Sequence, residues 1–167
     1  EFSKSIFERS SYMYRDQGGN DIVDKVHVPM EVINYPVKEY ESKSLELDFS
    51  TNFNFLVVAQ WGMRKNIENT IRWFVEEFYD QDVGLVLKTG KLNGSQFDKE
   101  MTVNAINSVL KEYPERKCKV YLLHGYVSDA EMHSLYVHPK IKALISLSHG
   151  EGFGLPLFEA AYSGLPI

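Results

Sequence analysis

The chain has 167 residues, 44% of them hydrophobic and 25% charged, with a formal net charge of −5. Apolar content at that level belongs to a packed globule rather than a disordered chain, and the acidic balance excludes a general nucleic-acid surface, which needs a basic face. No run of about 18 apolar residues or signal peptide is visible, and the single cysteine, Cys118, has no internal disulfide partner and fits a reducing, cytoplasmic compartment.

Taken in order, Phe2 to Tyr14 has helical spacing, with Phe2, Ile6, Phe7 and Met13 on one side. Arg15 to Asp21 is a break. Val26 to Ile33 is predicted to be extended, with Pro29 marking an edge or a bend, and the polar residues 35–53 are read as a linker. From Asn54 the pattern becomes strand, helix, strand, helix. Phe55–Ala59, Val83–Leu87, Lys119–Leu123 and Ile141–Ile145 are short apolar runs of the kind that parallel strands covered on both faces require. Ile67, Ile71, Phe74, Val75 and Phe78 mark a first helix between them, and Met101 to Leu110 a second. Ser128-Asp-Ala-Glu131 is a capping box that opens a third helix, ending near Tyr136. Alternation of this type implies right-handed crossovers and a Rossmann-like parallel α/β sheet with helices on both faces. The expected division is 1–49 as the end of another domain plus a linker, and 50–167 as the α/β domain. The chain starts with Glu rather than Met, and Ser163-Gly-Leu-Pro-Ile167 reads as a loop heading into a further buried strand, so the sequence is expected to be a piece of a longer protein.

Ligands of open parallel sheets bind at the carboxyl ends of the strands. Four exits are therefore the places to look: Gln60 to Asn66, Lys88 to Gly94, Gly125 to Ser128, and Ser148 to Leu155. The last leads into Glu151-Gly-Phe-Gly-Leu-Pro-Leu-Phe-Glu159, two carboxylates eight residues apart. Gly152-Phe153-Gly154 reads as a loop and Pro156 as a first helical residue. No Ser, Thr, Asp or Asn stands just before Pro156 as a cap, so the first-turn amides form a ready anion site. Helical side chains lean toward the N-terminus, which sends Glu159 back toward the same loop. Acids at both ends and bare amides between them suit a ligand with hydroxyls at its ends and phosphate in its middle, as in a nucleotide-sugar. Arg64 and Lys65 are adjacent cations that either meet a diphosphate or stay solvated. Lys88 faces the ligand or belongs to a polar surface turn. Tyr126 stacks on a base or covers the sheet edge, and Ser128 is first of all a helix cap. His124, His133 and His138 lack metal-ligand spacing, and no metal is expected.

Glu151-x7-Glu159 with its internal Gly-Phe-Gly-Leu-Pro resembles the Glu-x7-Glu signature of retaining glycosyltransferases with the GT-B fold, the large family that includes sucrose-phosphate synthases and bacterial mannosyltransferases. Ala143 to Ser148 is similar to the strand and serine before that signature, Leu123-His-Gly125-Tyr-Val-Ser128 to the family's glycine turn, and Phe55 through Asn66 to its opening strand and basic loop. The resemblance covers roughly residues 50–167 and makes them the donor-binding half of the fold.

That resemblance implies a glycosyltransferase that moves a hexose from a nucleoside diphosphate sugar to an acceptor hydroxyl with retention. Glu151 and Lys65 become the catalytic candidates. Glu151 would contact the donor sugar, Glu159 the ribose hydroxyls, and the amides of Phe153, Gly154 and Leu155 the sugar or phosphate. Arg64, Gly152, Ser148, His149, Lys88, Tyr126 and Val127 complete the expected donor site. The family's phosphate-binding arginine falls on Gln60, which brings no charge. No cofactor is implied. The acceptor, whether sugar, lipid or protein glycan, and any peripheral membrane contact fall to the other half. The alternatives are a non-catalytic nucleotide- or sugar-binding module of the same fold, or a related phosphorylase.

Overall fold

The computed structural model describes residues 2–36 and 38–167; the Phe2 side chain, expected on the apolar side of the first helix, lies outside the described residues. Two compact units are present, one ending at Glu39 and the other spanning Tyr40–Ile167.

The first unit corrects the sequence reading. The predicted helix stops early: α1 is Phe2–Arg9, followed by a hairpin of β1 (Ser11–Arg15) and β2 (Asp21–Lys25). Ser10 donates from both its amide and its hydroxyl to the Ile6 carbonyl, at 2.9 and 2.8 Å, and closes the last turn. Beyond it Tyr12 and Tyr14 alternate onto one face, rings 6.1 Å apart, so Met13 belongs to a period of two rather than to the helix. The expected break is the hairpin turn. Asp16 accepts the amides of Gly18 and Asn20 at 2.8 and 2.9 Å, Gly19 takes φ 83°, and Arg15 pairs with Asp21 at 2.9 Å. Asp and Asn make such turns by bonding their own backbone. Val26 to Ile33, predicted extended, forms no strand.

The second unit contains, in order, β3 (Asn54–Val58), α2 (Ile67–Glu77), β4 (Gly84–Lys88), α3 (Gln96–Leu110), β5 (Lys119–Leu123), α4 (Asp129–Tyr136), β6 (Ile141–Leu144) and α5 (Leu155–Tyr162). The four strands are parallel in the order β5-β4-β3-β6. Alternation along each strand feeds two cores. Val57, Leu85 and Leu87 meet Ile71, Phe74 and Val75 of α2 and Ile106 and Val109 of α3. Leu56, Val86 and Leu144 meet Leu135 and Tyr136 of α4 and Ala160 of α5. Helices thus cover both faces, and burying each such aliphatic side chain is worth about 1.5–3 kcal/mol.

Two helix starts, those of α3 and α4, follow local capping. Ser128 and Glu131 make the expected reciprocal box, so Ser128 serves as the helix cap. α3 begins at Gln96 rather than Met101, because Ser95 accepts the Asp98 amide at 3.2 Å. Residues 40–49, read above as linker, lie against this unit. Tyr40 donates to Asp129 at 2.8 Å, the Lys43 amide to the Ser134 hydroxyl at 2.7 Å, and Phe49 is buried in the second core. The expected boundary at residues 49 and 50 therefore falls inside the compact unit.

The strands are aligned at their amino ends by buried polar contacts. Asn54, fully buried, donates to the carbonyls of Thr51 and Lys140 at 3.1 and 2.9 Å and accepts from the Thr51 hydroxyl at 2.5 Å. Its neighbour across the ladder is Gly84. A Cβ there would lie 1.9 Å from Asn54 Oδ1 and 2.7 Å from Thr51 Oγ1. Gly84→Ala is expected to destabilise the protein by about 1–3 kcal/mol or more, read as a lower urea midpoint at unchanged slope.

Candidate functional site

The four strand exits gather at one edge, where a cleft of about 660 Å³ opens. From β3 it takes Val58, Ala59, Gln60 and Lys65, and from the β4 exit Lys88, Thr89, Gly90 and Asn93. The β5 exit adds His124, Gly125, Tyr126 and Val127, and Asp98 of α3, Met132 and Tyr136 of α4 and Pro156 and Glu159 of α5 also line it. Six of the predicted residues therefore share one cleft: Gln60, Lys65, Lys88, Tyr126, Val127 and Glu159. Arg64, Ser148, His149, Glu151, Gly152, Phe153, Gly154 and Leu155 are not among its lining.

Glu159 sits on α5, where the Tyr136 hydroxyl donates to its Oε2 at 3.1 Å. Burial and then the Glu159 charge push the Tyr136 phenol up, so it remains a donor. Oε1 of Glu159 has no hydrogen-bond partner among the described residues. α5 begins at Leu155, one residue before the expected Pro156, behind Gly154 at φ 76°, and no side chain caps it. The Leu155 and Leu157 amides belong to its first turn and have no carbonyl of their own helix to bond.

Glu151 is drawn into ion pairs. Lys65 Nζ lies 2.5 Å from its Oε1, Ser148 donates to the same oxygen at 2.9 Å, and Arg64 Nη1 is 3.6 Å from Oε2. The Lys65 bond above all holds the Glu151 carboxyl below its ordinary value. Arg64 also donates to the Gly150 carbonyl. Behind this group the backbone is laced. Asn66, at φ 53°, donates from its side chain to the Leu147 carbonyl at 3.1 Å, and the His149 amide donates to the Arg64 carbonyl at 2.8 Å. The β3 and β6 exits thus form one rigid corner. His149 itself lines a separate hollow of about 520 Å³ with Trp61, Met63 and Asn69.

Lys88 is half-buried and donates to the Gly125 carbonyl at 2.6 Å, tying the β4 exit to the β5 turn. Burial pushes its ammonium pKa down.

Sequence reasoning missed Asp98 and His124. Asp98 is 1% exposed and accepts the amides of Lys91, Leu92 and Gly94 at 2.8, 3.0 and 2.9 Å. His124 Nε2 lies 3.1 Å from its Oδ2. One carboxylate thus shapes the whole β4-exit loop and holds the β5 exit beside it. Ser95-x-x-Asp98 carries the capping-box pattern that would have revealed it, had the helix been started five residues earlier. Among the described residues no three His, Cys, Asp or Glu side chains converge on one point, and no helix is long and apolar enough to cross a membrane.

No protein-family model matches the chain. Over 117 residues it is 32% identical to the serotype-specific mannosyltransferase WbdA of Escherichia coli, an alignment that covers 68% of this chain and 13% of that protein. The chain therefore spans about an eighth of the length of the curated relatives it matches. Among solved structures, the C-terminal domain of a glycosyl transferase group 1 family protein, LpcC of Francisella tularensis, is similar at a TM-score of 0.52 and 18% identity. That similarity covers 69% of this chain and 56% of that one. The catalytic domain of the cholesterol-α-glucosyltransferase of Helicobacter pylori gives a TM-score of 0.48 at 21% identity, over 69% and 62%. The α/β unit has the GT-B-like fold of such a C-terminal domain, a parallel sheet with helices on both faces.

The Asp98 carboxyl provides a pH test. Burial pushes its pKa up, but the amides of Gly94, Lys91 and Leu92 and the His124 ring outweigh that and leave it at about 2, against an ordinary 3.8. The folded group is the stronger acid, so its stabilisation is fully present above pH 3.8 and disappears as pH falls toward 2. Urea midpoints measured between pH 5 and 2 are expected to fall across that window, and Asp98→Asn to flatten that part of the fall.

Proposed function

We propose that residues from about 50 onward are the donor-binding domain of a retaining glycosyltransferase, which moves a hexose from a nucleoside diphosphate sugar to an acceptor hydroxyl. Residues 1–39 then belong to the acceptor side, and residues 40–49, packed on the α/β unit, are its connection. The observation that carries this reading is the cleft at the carboxyl edge of the sheet, where Glu159, Lys65 and the uncapped start of α5 meet. The 32% identity to a mannosyltransferase and the fold of a glycosyl transferase domain support it.

Each group has a task that fits its place. Glu159, oriented by Tyr136, accepts hydrogen bonds from the ribose hydroxyls through its open oxygen. Lys65 and Arg64, with the Leu155 and Leu157 amides, meet the diphosphate, since helix-start amides and cations stabilise the charge that develops on a leaving phosphate. Glu151, released from Lys65 by that phosphate, turns to the hydroxyls of the sugar, beside Ser148, His149 and the Gly152-Phe153-Gly154 loop. The acceptor oxygen bonds to the anomeric carbon as the bond from that carbon to the phosphate oxygen breaks, and the acceptor proton passes to the departing phosphate. The work is done in the cytoplasm.

A second reading is a binding module without turnover. It is favoured by Gln60, which lines the cleft but carries no charge, and by the pairing of Lys65 with Glu151. Incubating the full-length protein with nucleotide-sugars and acceptor mixtures separates the two. Release of nucleoside diphosphate supports the transferase, and binding without release in every mixture supports the module.

Glu159→Gln is expected to weaken nucleoside diphosphate binding about tenfold or more, whereas Glu151→Gln leaves it undiminished and cuts sugar transfer. Calorimetry on both variants checks this, and equal affinities for nucleotide and nucleotide-sugar would overturn the division. With leaving-group charge met by cations and amides, EDTA is expected to leave turnover intact; complete loss restored by manganese is the contrary result.

A further inference from the structure

Two depressions outside the cleft take no part in the reading above. The hollow of about 520 Å³ beside His149 is lined also by Trp61, Met63, Glu68 and Asn69. A groove of about 300 Å³ takes its walls from α2 and α3, with Arg72 on one side and Ala105, Ser108 and Glu112 on the other. Trp61 and Glu68 line both, so the two adjoin and form one track. The track begins at the corner that holds Lys65 and Glu151. Met63 and Asn66 of the hollow flank Arg64 and Lys65 in the chain, and His149 stands just before Glu151 with its amide on the Arg64 carbonyl.

The lining selects a neutral ligand. The hollow carries the Glu68 carboxylate and no lysine or arginine. In the groove two cations, Arg72 and Lys91, face two carboxylates, Glu68 and Glu112. Arg72 pairs with Glu112 and lies 4.0 Å from Glu68, and the Lys91 ammonium sits 5.0 Å from the centre of the Trp61 ring. An anion thus finds no surplus cation along the track. What the track offers is hydrogen bonding beside an aromatic ring. Asn69 donates to the Asn66 side chain at 2.7 Å, and its own carbonyl oxygen has no partner among the described residues. Carboxylate and amide oxygens accept from hydroxyls, and the electron-rich face of an indole suits the C–H face of a pyranose. We propose that this track holds the acceptor as a neutral glycan, with its terminal sugar in the hollow and the preceding sugar in the groove. This rests on the nucleotide-sugar reading above and names the acceptor class for it. With the donor sugar at Glu151, an acceptor hydroxyl has to reach the same corner, and the hollow is the depression next to that carboxylate outside the cleft.

The test uses the full-length protein with GDP-mannose and UDP-glucose as donors. Methyl α-mannoside and methyl α-glucoside serve as one-sugar acceptors, mannobiose and maltose as two-sugar acceptors, and release of GDP or UDP gives the acceptor KM. The expected result is a KM about tenfold lower for the two-sugar acceptor than for its one-sugar counterpart. Ser108→Trp, which fills the groove from the exposed face of α3, should remove that advantage and leave the one-sugar KM in place. Asn69→Ala and the isosteric Glu68→Gln should each raise both KM values about tenfold. Calorimetric affinity for GDP and UDP should be the same in all three variants as in wild type. Acceptor KM values that stay put in every variant, a nucleotide affinity that falls in step with them, or a wild type that binds nucleotide yet accepts none of the four sugars overturns the track and leaves the nucleotide reading in place. Wild-type protein that binds neither nucleotide overturns both. Matching thermal melts of wild type and variants separate a lost contact from a lost fold.

Discussion

The register of the sheet is fixed at the edge away from the cleft, and the site depends on it. Asn54 reaches from the start of β3 to the carbonyl that leads into β6, and it occupies the space left by the missing side chain of Gly84 on β4. Tyr121 of β5 joins through its hydroxyl, close to those of Ser50 and Thr51. All four strands are thus anchored to one buried polar group. Since strands rise by about 3.3 Å per residue, aligned starts give aligned ends. Lys88, pairing with Val58 on one side and Leu123 on the other, shows the outcome at the functional edge.

At that edge loops rather than strands hold the chemistry, and their stiffness comes from cross-links between successive exits. Asn66 in the left-handed region carries its amide to Leu147, Lys88 bonds Gly125, and Asp98 collects three amides from a single loop. Each link joins the exit of one strand to that of another, or a loop to the helix that follows it. The arrangement satisfies buried backbone groups that irregular loops would otherwise leave open.

The four strands and four α-helices of the α/β unit were legible because each carries a period, a cap or a buried apolar run. Phe55 to Ala59 and Ser128 to Glu131 are the clearest cases. The N-terminal hairpin was not legible. Met13 fell at helical distance from Phe2, Ile6 and Phe7 by coincidence, and the turn at Asp16 to Asn20 looked like any polar break until its amide bonds were seen. The candidate site was half legible. Motif resemblance picked Glu159 and Lys65, which the fold brings to one cleft, and Glu151 as a sugar contact, but the pairing of that carboxylate with Lys65 was not visible in residue order. Asp98 escaped because its importance lies in the amides it meets, and those are not written in residue order.

The contact between Lys65 and Glu151 gives the cleft's Lys65 a carboxylate partner, with Arg64 beside them as the one cation in excess. Bare ammonium and guanidinium groups would attract any small anion in the cell, and that attraction would fade steeply as salt rises. With a carboxylate already seated, entry becomes ion exchange, in which the resident counter-ion must be evicted and salt screens both sides of the swap. On the nucleotide-sugar reading proposed above, discrimination against simple phosphate and sulfate then comes from what the larger ligand gains elsewhere along the sheet edge, beyond its charge alone.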